Sequence, residues 1–207
     1  MLQIELPDGG IRPAQRRDWR QLGGITAEAF AEDPFNLWIF GKPRALKPLF
    51  RVMARDIYLK QGFCHLIDDK AATMWAMHDA RQDFPPLSLA QLILVQTFLA
   101  APGSMKRGLA AAETMKANHP KAPHVYLFTV GTRKAARGKG LGKALVSPVL
   151  AAADKAGLPV YLENTNPAND GFYRSLGFQR TGEFHVDETA PVVTTMWREP
   201  LTASQAS

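Results

Sequence analysis

Apolar residues along this chain recur in two periods, and the periods mark its elements. From Trp19 to Ala31 the positions Trp19, Leu22, Ile25, Ala29 and Phe30 return every three or four residues, which places them on one face of a helix. Asp18 is its candidate N-cap. Asp33-Pro34 stops the run, because a residue before proline is pushed out of the α region. A second helical run from Lys47 to Lys60 puts Leu49, Phe50, Met53, Ile57 and Tyr58 on or near one face and ends at Gly62. Between the two, the segment from Phe35 to Phe40 holds Phe35, Trp38 and Phe40. It reads as core or a hydrophobic lid, with the wall of a substrate pocket as the functional alternative. Ahead of them either Gln3–Leu6 or Ile11–Ala14 supplies a first strand, with a turn from Pro7 to Gly10.

Beyond Gly62 the pattern shortens. His65–Ile67 and Ala72–Met77 predict a hairpin closed through Asp68-Asp69-Lys70. Arg81 to Ser88 is a loop carrying Pro85 and Pro86. Leu89–Ala101 and Met105–Asn118 read as two helices separated by Pro102 and Gly103. A central strand begins at His124 and runs through Val130. Leu141 to Ala156 is a helix with an apolar stripe of Leu141, Leu145, Val149 and Ala152. Pro148 lies inside it and is expected to bend it. Pro159–Glu163 is the next strand, Asn164–Asn169 a polar loop, and Asp170–Leu176 a short helix ended by Gly177. Phe178–Val186 and Val192–Arg198 form a final antiparallel pair. Residues from Leu201 to Ser207 read as a frayed tail. This order predicts an α/β (α+β) fold, a mixed and mostly antiparallel sheet with helices on both faces.

The bulk properties narrow the function classes. A chain of 207 residues with 46% apolar residues fits one large globular domain. Its net charge of +6 favours an anionic ligand. The basic residues are scattered and not interleaved with aromatics in a run, which speaks against nucleic acid. Cys64 stands alone, so no disulfide framework or Cys-x-x-Cys metal site exists within the chain, and its apolar neighbours mark it as a small buried hydrophobe. The histidines lack metal-ligand spacing, so no metal is expected. The N-terminus lacks the blocks of a signal peptide, and the longest apolar run, Leu89–Ala101, is too short to span a bilayer. A soluble cytoplasmic protein, monomer or homodimer, without a membrane partner is the expectation.

The chemistry is concentrated in Arg137-Gly138-Lys139-Gly140-Leu141-Gly142-Lys143, between the central strand and the following helix. Glycines let the backbone turn sharply and approach a ligand closely. Unpaired N–H groups at a helix start suit a phosphate, and Arg137, Lys139 and Lys143 add full charges. The P-loop pattern fails here for want of Lys-Ser or Lys-Thr, and the dinucleotide fingerprint fails on its third glycine. Arg137, Gly140 and Gly142 do meet Arg/Gln-x-x-Gly-x-Gly/Ala, which resembles the pyrophosphate loop of the GCN5-related N-acetyltransferase (GNAT) superfamily. Downstream, Leu162-Glu163-Asn164, then Phe172-Tyr173, then Leu176-Gly177-Phe178 resemble the second half of that superfamily's pattern. Both halves occur in order, over about Tyr126 to Phe178. The N-terminal half supports the likeness through element order alone.

The resemblance implies one acetyltransferase domain over residues 1–200, with an acceptor-side half of about 1–123, a coenzyme-side half of about 124–200, and a flexible tail at 201–207. It implies acetyl-CoA as co-substrate, bound between two splayed central strands, and direct transfer of acetyl to an amine. The amine must lose a proton to a base or water chain, and the carbonyl oxygen must be stabilised as charge develops. Backbone N–H groups at Thr129 and Val130 are the implied oxyanion and pantetheine contacts. Arg137, Gly138, Lys139, Gly140, Leu141, Gly142 and Lys143 would hold the pyrophosphate, and Asn166 and Asn169 the pantetheine arm. Tyr173 is the implied general acid toward the departing thiolate. Glu163 is the candidate base, because a carboxylate ending an apolar strand needs a cleft or a partner; His78 and His185 are weaker rivals. A small-molecule amine is the expected acceptor, with a protein amine or a non-catalytic CoA sensor as alternatives.

Overall fold

The computed structural model of this chain describes residues 2–7, 10–80 and 83–201. Part of the Pro7–Gly10 turn, the start of the Arg81–Ser88 loop and the tail after Leu201 therefore lie outside the described residues. One sheet of seven strands runs through the molecule in the order β1-β2-β3-β4-β5-β7-β6. β1 (Ile11–Pro13), β2 (Phe63–Ile67), β3 (Ala71–Met77) and β4 (Val125–Thr132) pair antiparallel in succession. β4 lies parallel to β5 (Val160–Asn164), and β5 continues antiparallel to β7 (Val193–Arg198) and β6 (Gln179–Phe184). The mixed, mostly antiparallel sheet anticipated above is what forms.

The parallel contact is short. Only Val125 with Val160 and Tyr126 with Tyr161 are in register, although β4 runs on to Thr132 and β5 to Asn164. Beyond Tyr126 the two strands part. A bulge sits at the same place: partners on β3 step from Thr129 to Leu127, leaving Phe128 as an extra residue. A bulge bends its strand and re-aims the side chains beyond it. Phe128 is held by Tyr58, whose ring stacks on it at 4.4 Å with an interplanar angle of 8°.

Side chains alternate across the sheet, and the two faces bury different cores. Met74, Ala76, Tyr126, Tyr161 and Val193 point into the larger core. That core is covered by α1 (Trp19–Ala29), α2 (Pro34–Phe40) and α3 (Leu46–Met53), with α5 (Pro86–Leu99) and α6 (Ser104–Asn118) packed outside them. α3 continues through a π turn, Ala54–Tyr58, into the short α4 (Leu59–Gln61). On the opposite face Trp75, Leu127, Val160, Leu162 and Met196 meet Val146, Val149, Leu150 and Ala153 of α7 (Leu141–Lys155). Tyr173, from the short α8 (Asp170–Arg174), packs in this second core.

Several elements depart from the pattern-based expectation. Phe35–Phe40 is helical: Pro34 opens α2 at its first position, and the Asp33 carboxylate accepts the Asn36 N–H at 2.9 Å. Asp18 does not cap α1; its carboxylate accepts the Gln15 N–H at 2.8 Å and pairs with Arg12. The first strand is Ile11–Pro13, whereas Gln3–Leu6 forms no element. α5 begins at Pro86, inside the expected loop, since proline is tolerated at a helix start. α7 runs through Pro148 without ending there.

Candidate active site

The glycine-rich stretch bridges β4 and α7. A single 3-10 turn, Lys134–Ala136, leads into extended Arg137, and then Gly138 and Gly140 take φ of +75° and +72°. Those values lie in the left-handed region that side chains with Cβ disfavour. Gly140 precedes α7 and offers no side-chain cap, so the first N–H groups of the helix stay open toward the loop. The base of the loop is tied down. Arg133 donates to Glu28 at 2.6 Å and to Asp69 at 2.8 Å, while Lys134 reaches Glu32 at 2.6 Å. Arg137, Lys139 and Lys143 pair with no carboxylate among the described residues.

Above this loop lies a cleft of about 600 Å³, open to solvent and extending to where β4 and β5 part. Of the residues singled out in the sequence, Val130, Arg137, Gly138, Gly140, Leu141, Gly142, Lys143, Asn166, Asn169 and Tyr173 line it. Lys139 is exposed on the loop and does not line the cleft, and Thr129 is buried beside the gap with its hydroxyl lacking a partner among the described residues. Because β4 loses its β5 neighbour after Tyr126, main-chain groups of the Thr129–Thr132 stretch that face away from β3 have no strand partner. Such groups need water or a ligand. On the far wall Asn166 accepts the Ala168 N–H through its side-chain oxygen at 3.1 Å, and its amide N–H groups have no partner among the described residues.

Phe30, Glu32 and Asp33 close the cleft on the α1–α2 side. Asp33, which the sequence marks only as the stop of the first helix, makes contacts of its own here. Thr165 donates its hydroxyl to Asp33 at 2.7 Å, which joins the start of α2 to the loop after β5. Burial pushes the Asp33 carboxyl up from its ordinary value against the hydrogen bonds it accepts from Asn36 and Thr165. Burial, and then the nearby Asp33 charge, push the Tyr173 phenol up as well, so Tyr173 holds its proton at neutral pH.

Glu163 stands apart from Tyr173. Strand alternation sends Leu162 to the α7 face and Glu163, with Tyr161, to the face under α1–α3. Its side chain is 3% exposed and does not line the cleft. The rings of Tyr58, Tyr126 and Tyr161 surround it, and burial followed by the Glu163 charge keeps all of these phenols protonated. The hydroxyls of Tyr58 and Tyr161 are buried without a protein partner among the described residues, so this pocket has polar capacity for water or a ligand. His119 Nδ1 lies 3.3 Å from Glu163 Oε1. The sequence had given no weight to His119; the signal in hindsight is His119-Pro120, which turns the chain inward at the end of α6. His78 and His185 make no contact with Glu163; His78 lies beside His124, and His185 Nδ1 bonds the Ala190 carbonyl. Among the described residues no group of histidines, cysteines and carboxylates is placed to hold a metal ion, and no helix is long and apolar enough to cross a membrane.

Known proteins resemble this chain in part of its sequence and in its fold. Residues 102–178 match the model of the Acetyltransferase (GNAT) family. An acetyltransferase structure from Corynebacterium glutamicum, described as histone acetyltransferase HPA2 and related acetyltransferase, superposes with a TM-score of 0.68 at 27% identity, covering 94% of this chain and 97% of that one. Arylalkylamine N-acetyltransferase 2 of Aedes aegypti shares the fold at a TM-score of 0.57 and 15% identity, over 93% of this chain and 100% of that one. An uncharacterised N-acetyltransferase of Schizosaccharomyces pombe is 34% identical over 83 residues, 39% of this chain. The match spans about a third of that curated relative, 34% of its length. The family match is confined to residues 102–178 and the curated relative to 39% of this chain, while the likeness to the solved structures extends over nearly the whole fold.

Proposed function

We propose that this protein is an acetyl-CoA-dependent N-acetyltransferase acting on a primary amine of a small molecule. The observation that carries the proposal is the cleft itself: open α7 N–H groups, basic side chains with no carboxylate partner among the described residues, and β4 backbone without a strand partner lie along one path toward the gap between β4 and β5. Acetyl-CoA would supply the acetyl group as a thioester. Arg137, Lys143 and the turn from Gly138 to Gly142 would hold its diphosphate, with Lys139 contributing charge from outside the cleft. Thr129 and Val130 main-chain groups would bind the pantetheine arm and stabilise the carbonyl oxygen, and Asn166 and Asn169 would face the arm from the β5 side. We read residues 1–200 as one acetyltransferase domain with its acceptor side in about 1–123, working in the cytoplasm as a monomer or homodimer.

The acid and base fall on opposite sides of the gap. Tyr173, on the α7 side, keeps a phenolic proton to give to the departing thiolate. Glu163, on the α1–α3 side, takes the proton of the acceptor ammonium directly or through one water. This arrangement brings coenzyme and amine in from opposite faces of the sheet. The apolar cover over the acceptor face supports a small acceptor: Phe35 and Trp38 stack at 5.8 Å in α2, with α6 packed behind α2. The wording of this half, Thr129-Val130-Gly131 through Leu176-Gly177-Phe178, resembles puromycin N-acetyltransferase, which would point to a small amine as acceptor. A protein amine is the second reading, favoured by the near full-length likeness to the protein described as a histone acetyltransferase.

Release of free thiol from acetyl-CoA, measured against a panel of small amines and of lysine and N-terminal peptides, tests these readings. Turnover with small amines and not peptides is expected. Turnover with peptides alone would move the acceptor class, and CoA binding without turnover on any amine would leave a sensor. Tyr173→Phe should lower kcat by about 100-fold or more with little change in the KM for acetyl-CoA; an unchanged kcat removes Tyr173 as acid.

A further inference from the structure

α5 is apolar on both of its faces. Its inward side chains Leu92 and Val95 are buried, where the helix packs on α3. Its outward face carries Leu87, Leu89, Ile93, Leu94 and Phe98, each between 44% and 81% exposed. Pro86, Ala90 and Thr97 lie exposed among them. Pro86–Leu99 includes no charged side chain. α6, packed beside it, carries Lys106, Arg107, Glu113 and Lys116, as a helix with a solvated face does. A helix that is apolar all round is a buried helix, so the outward face of α5 calls for a cover.

That face is held where it is. Ser88 donates its hydroxyl to Asp56 at 2.7 Å and Arg55 donates to Gln91 at 3.1 Å, which pins the first half of α5 to the π turn. At the other end Arg44 donates to the Leu99 and Phe98 carbonyls at 3.0 and 3.4 Å. Residues 202–207 are small or polar and offer no side chain to fill an apolar face. An exposed Leu, Ile or Phe of this kind presents on the order of 100 Å², so the outward face presents roughly 500 Å², at the size where a surface patch on a monomer tends to be functional. Two copies laid face to face would bury about 1,000 Å² from these side chains alone, the area at which specific interfaces begin.

We propose that α5 is the contact surface of a homodimer, in which a second copy of this chain covers Leu87, Leu89, Ile93, Leu94 and Phe98. The partner's chemistry follows from the absence of charge. A two-fold interface sets one patch against itself, so a charge near its axis would meet its like. Each chain carries a net charge of +6, and this face lets two copies touch without bringing like charges together. An anionic lipid surface would call for Lys or Arg along the helix, and α5 has neither. Across an antiparallel two-fold axis at the level of Leu92, Leu94 falls opposite the partner's Ala90 and Leu87 opposite the partner's Thr97, large against small. None of the five apolar side chains lines the cleft, so the dimer stands whether or not the cleft transfers acetyl.

Sedimentation equilibrium of the full chain over a concentration series tests this. Twice the chain mass is expected, and the dimer should hold or tighten as salt screens the net charge of +6. Leu94→Glu and Phe98→Glu should each raise the dimer dissociation constant by about 10-fold or more, with circular dichroism and CoA titration showing that the fold is kept. Both side chains are exposed in the single chain, so neither change disturbs the core. Leu201→Glu, at an exposed apolar position beside Asp154 on the α7 side of the sheet, should leave the dimer intact. A wild-type chain of monomer mass throughout the series overturns the proposal, as does a dimer that both α5 variants leave unchanged. A monomer that sediments with phosphatidylcholine–phosphatidylserine vesicles, and no longer does so in Leu94→Glu, overturns it in favour of a lipid surface.

Discussion

The basic residues around the glycine turn separate into three sets that a charge count cannot distinguish, and CoA affinity should respect the difference. Lys134 is already engaged with Glu32 at 2.6 Å. Arg137 and Lys143 line the cleft and have no carboxylate partner among the described residues, and Lys139 is free but lies outside the cleft. A charge-assisted hydrogen bond contributes about 1.5–3 kcal/mol. Arg137→Gln should therefore weaken CoA by about 10- to 150-fold, with Lys143→Gln near the lower end. Lys139→Gln removes only a charge acting through water at about 10 Å, roughly 0.4 kcal/mol before screening, or about 2-fold. Lys134→Gln breaks an exposed pair with Glu32 and should change CoA affinity by less than about 3-fold. Calorimetric titration with CoA at two salt concentrations reads all four variants, and the Lys139 effect should shrink most at high salt. Equal losses in all four would mean that a diffuse field, not contact with a seated diphosphate, attracts the ligand. A loss in Lys134→Gln matching that in Arg137→Gln would refute the sorting outright.

Two stability predictions follow from buried carboxylates. Asp56 accepts from Ser88 at 2.7 Å, Arg55 at 2.9 Å and Lys60 at 3.0 Å; burial would push it up, but these partners together hold it down to about 2. A lowered carboxylate stabilises the fold above its unfolded value of about 3.9, and that contribution, about 2 kcal/mol, is lost as pH falls from about 4 through about 2. Urea unfolding of Asp56→Asn should show a flatter acid dependence than wild type, and the same slope in both would contradict the assignment. Asp33 bridges the α2 N-terminus to Thr165 while its buried charge is unfavourable. Asp33→Ala should lose about 2–3 kcal/mol from the cap and the Thr165 bond together, whereas Asp33→Asn, which keeps an acceptor, should stay within about 1 kcal/mol of wild type at neutral pH. Thermal melts that rank the two variants equally would contradict this. The sign is set by the upward shift: the wild-type charge weakens the fold as pH rises past the unfolded carboxylate value, a term Asp33→Asn lacks.

Where local pattern dominates, sequence and structure agree closely. The glycine turn is legible because positive φ at Gly138 and Gly140 and the open start of α7 are properties of a few adjacent residues. The hairpin of β2 and β3 and the stripe of α7 follow from period alone. α2 was hidden because Asp33-Pro34 carries two local meanings, the end of one helix and the start of the next. Only the Asn36 N–H bonded to Asp33 decides between them.

What the sequence determined by itself is the half proposed to bind the coenzyme: a strand, a glycine-rich basic turn, a helix, and the tyrosine and loop asparagines that line the cleft. These are short-range facts, fixed by dihedral preference and hydrophobic period within a few residues of chain. Tertiary structure alone decided the side proposed to receive the acceptor. The parting of β4 from β5 depends on which strand each finds as a neighbour and on the bulge at Phe128. The meeting of Glu163 with His119 joins residues 44 positions apart, and Asp33 with Thr165 spans 132. Contacts between such distant positions are set by how two packed layers stack, and no local spacing encodes them.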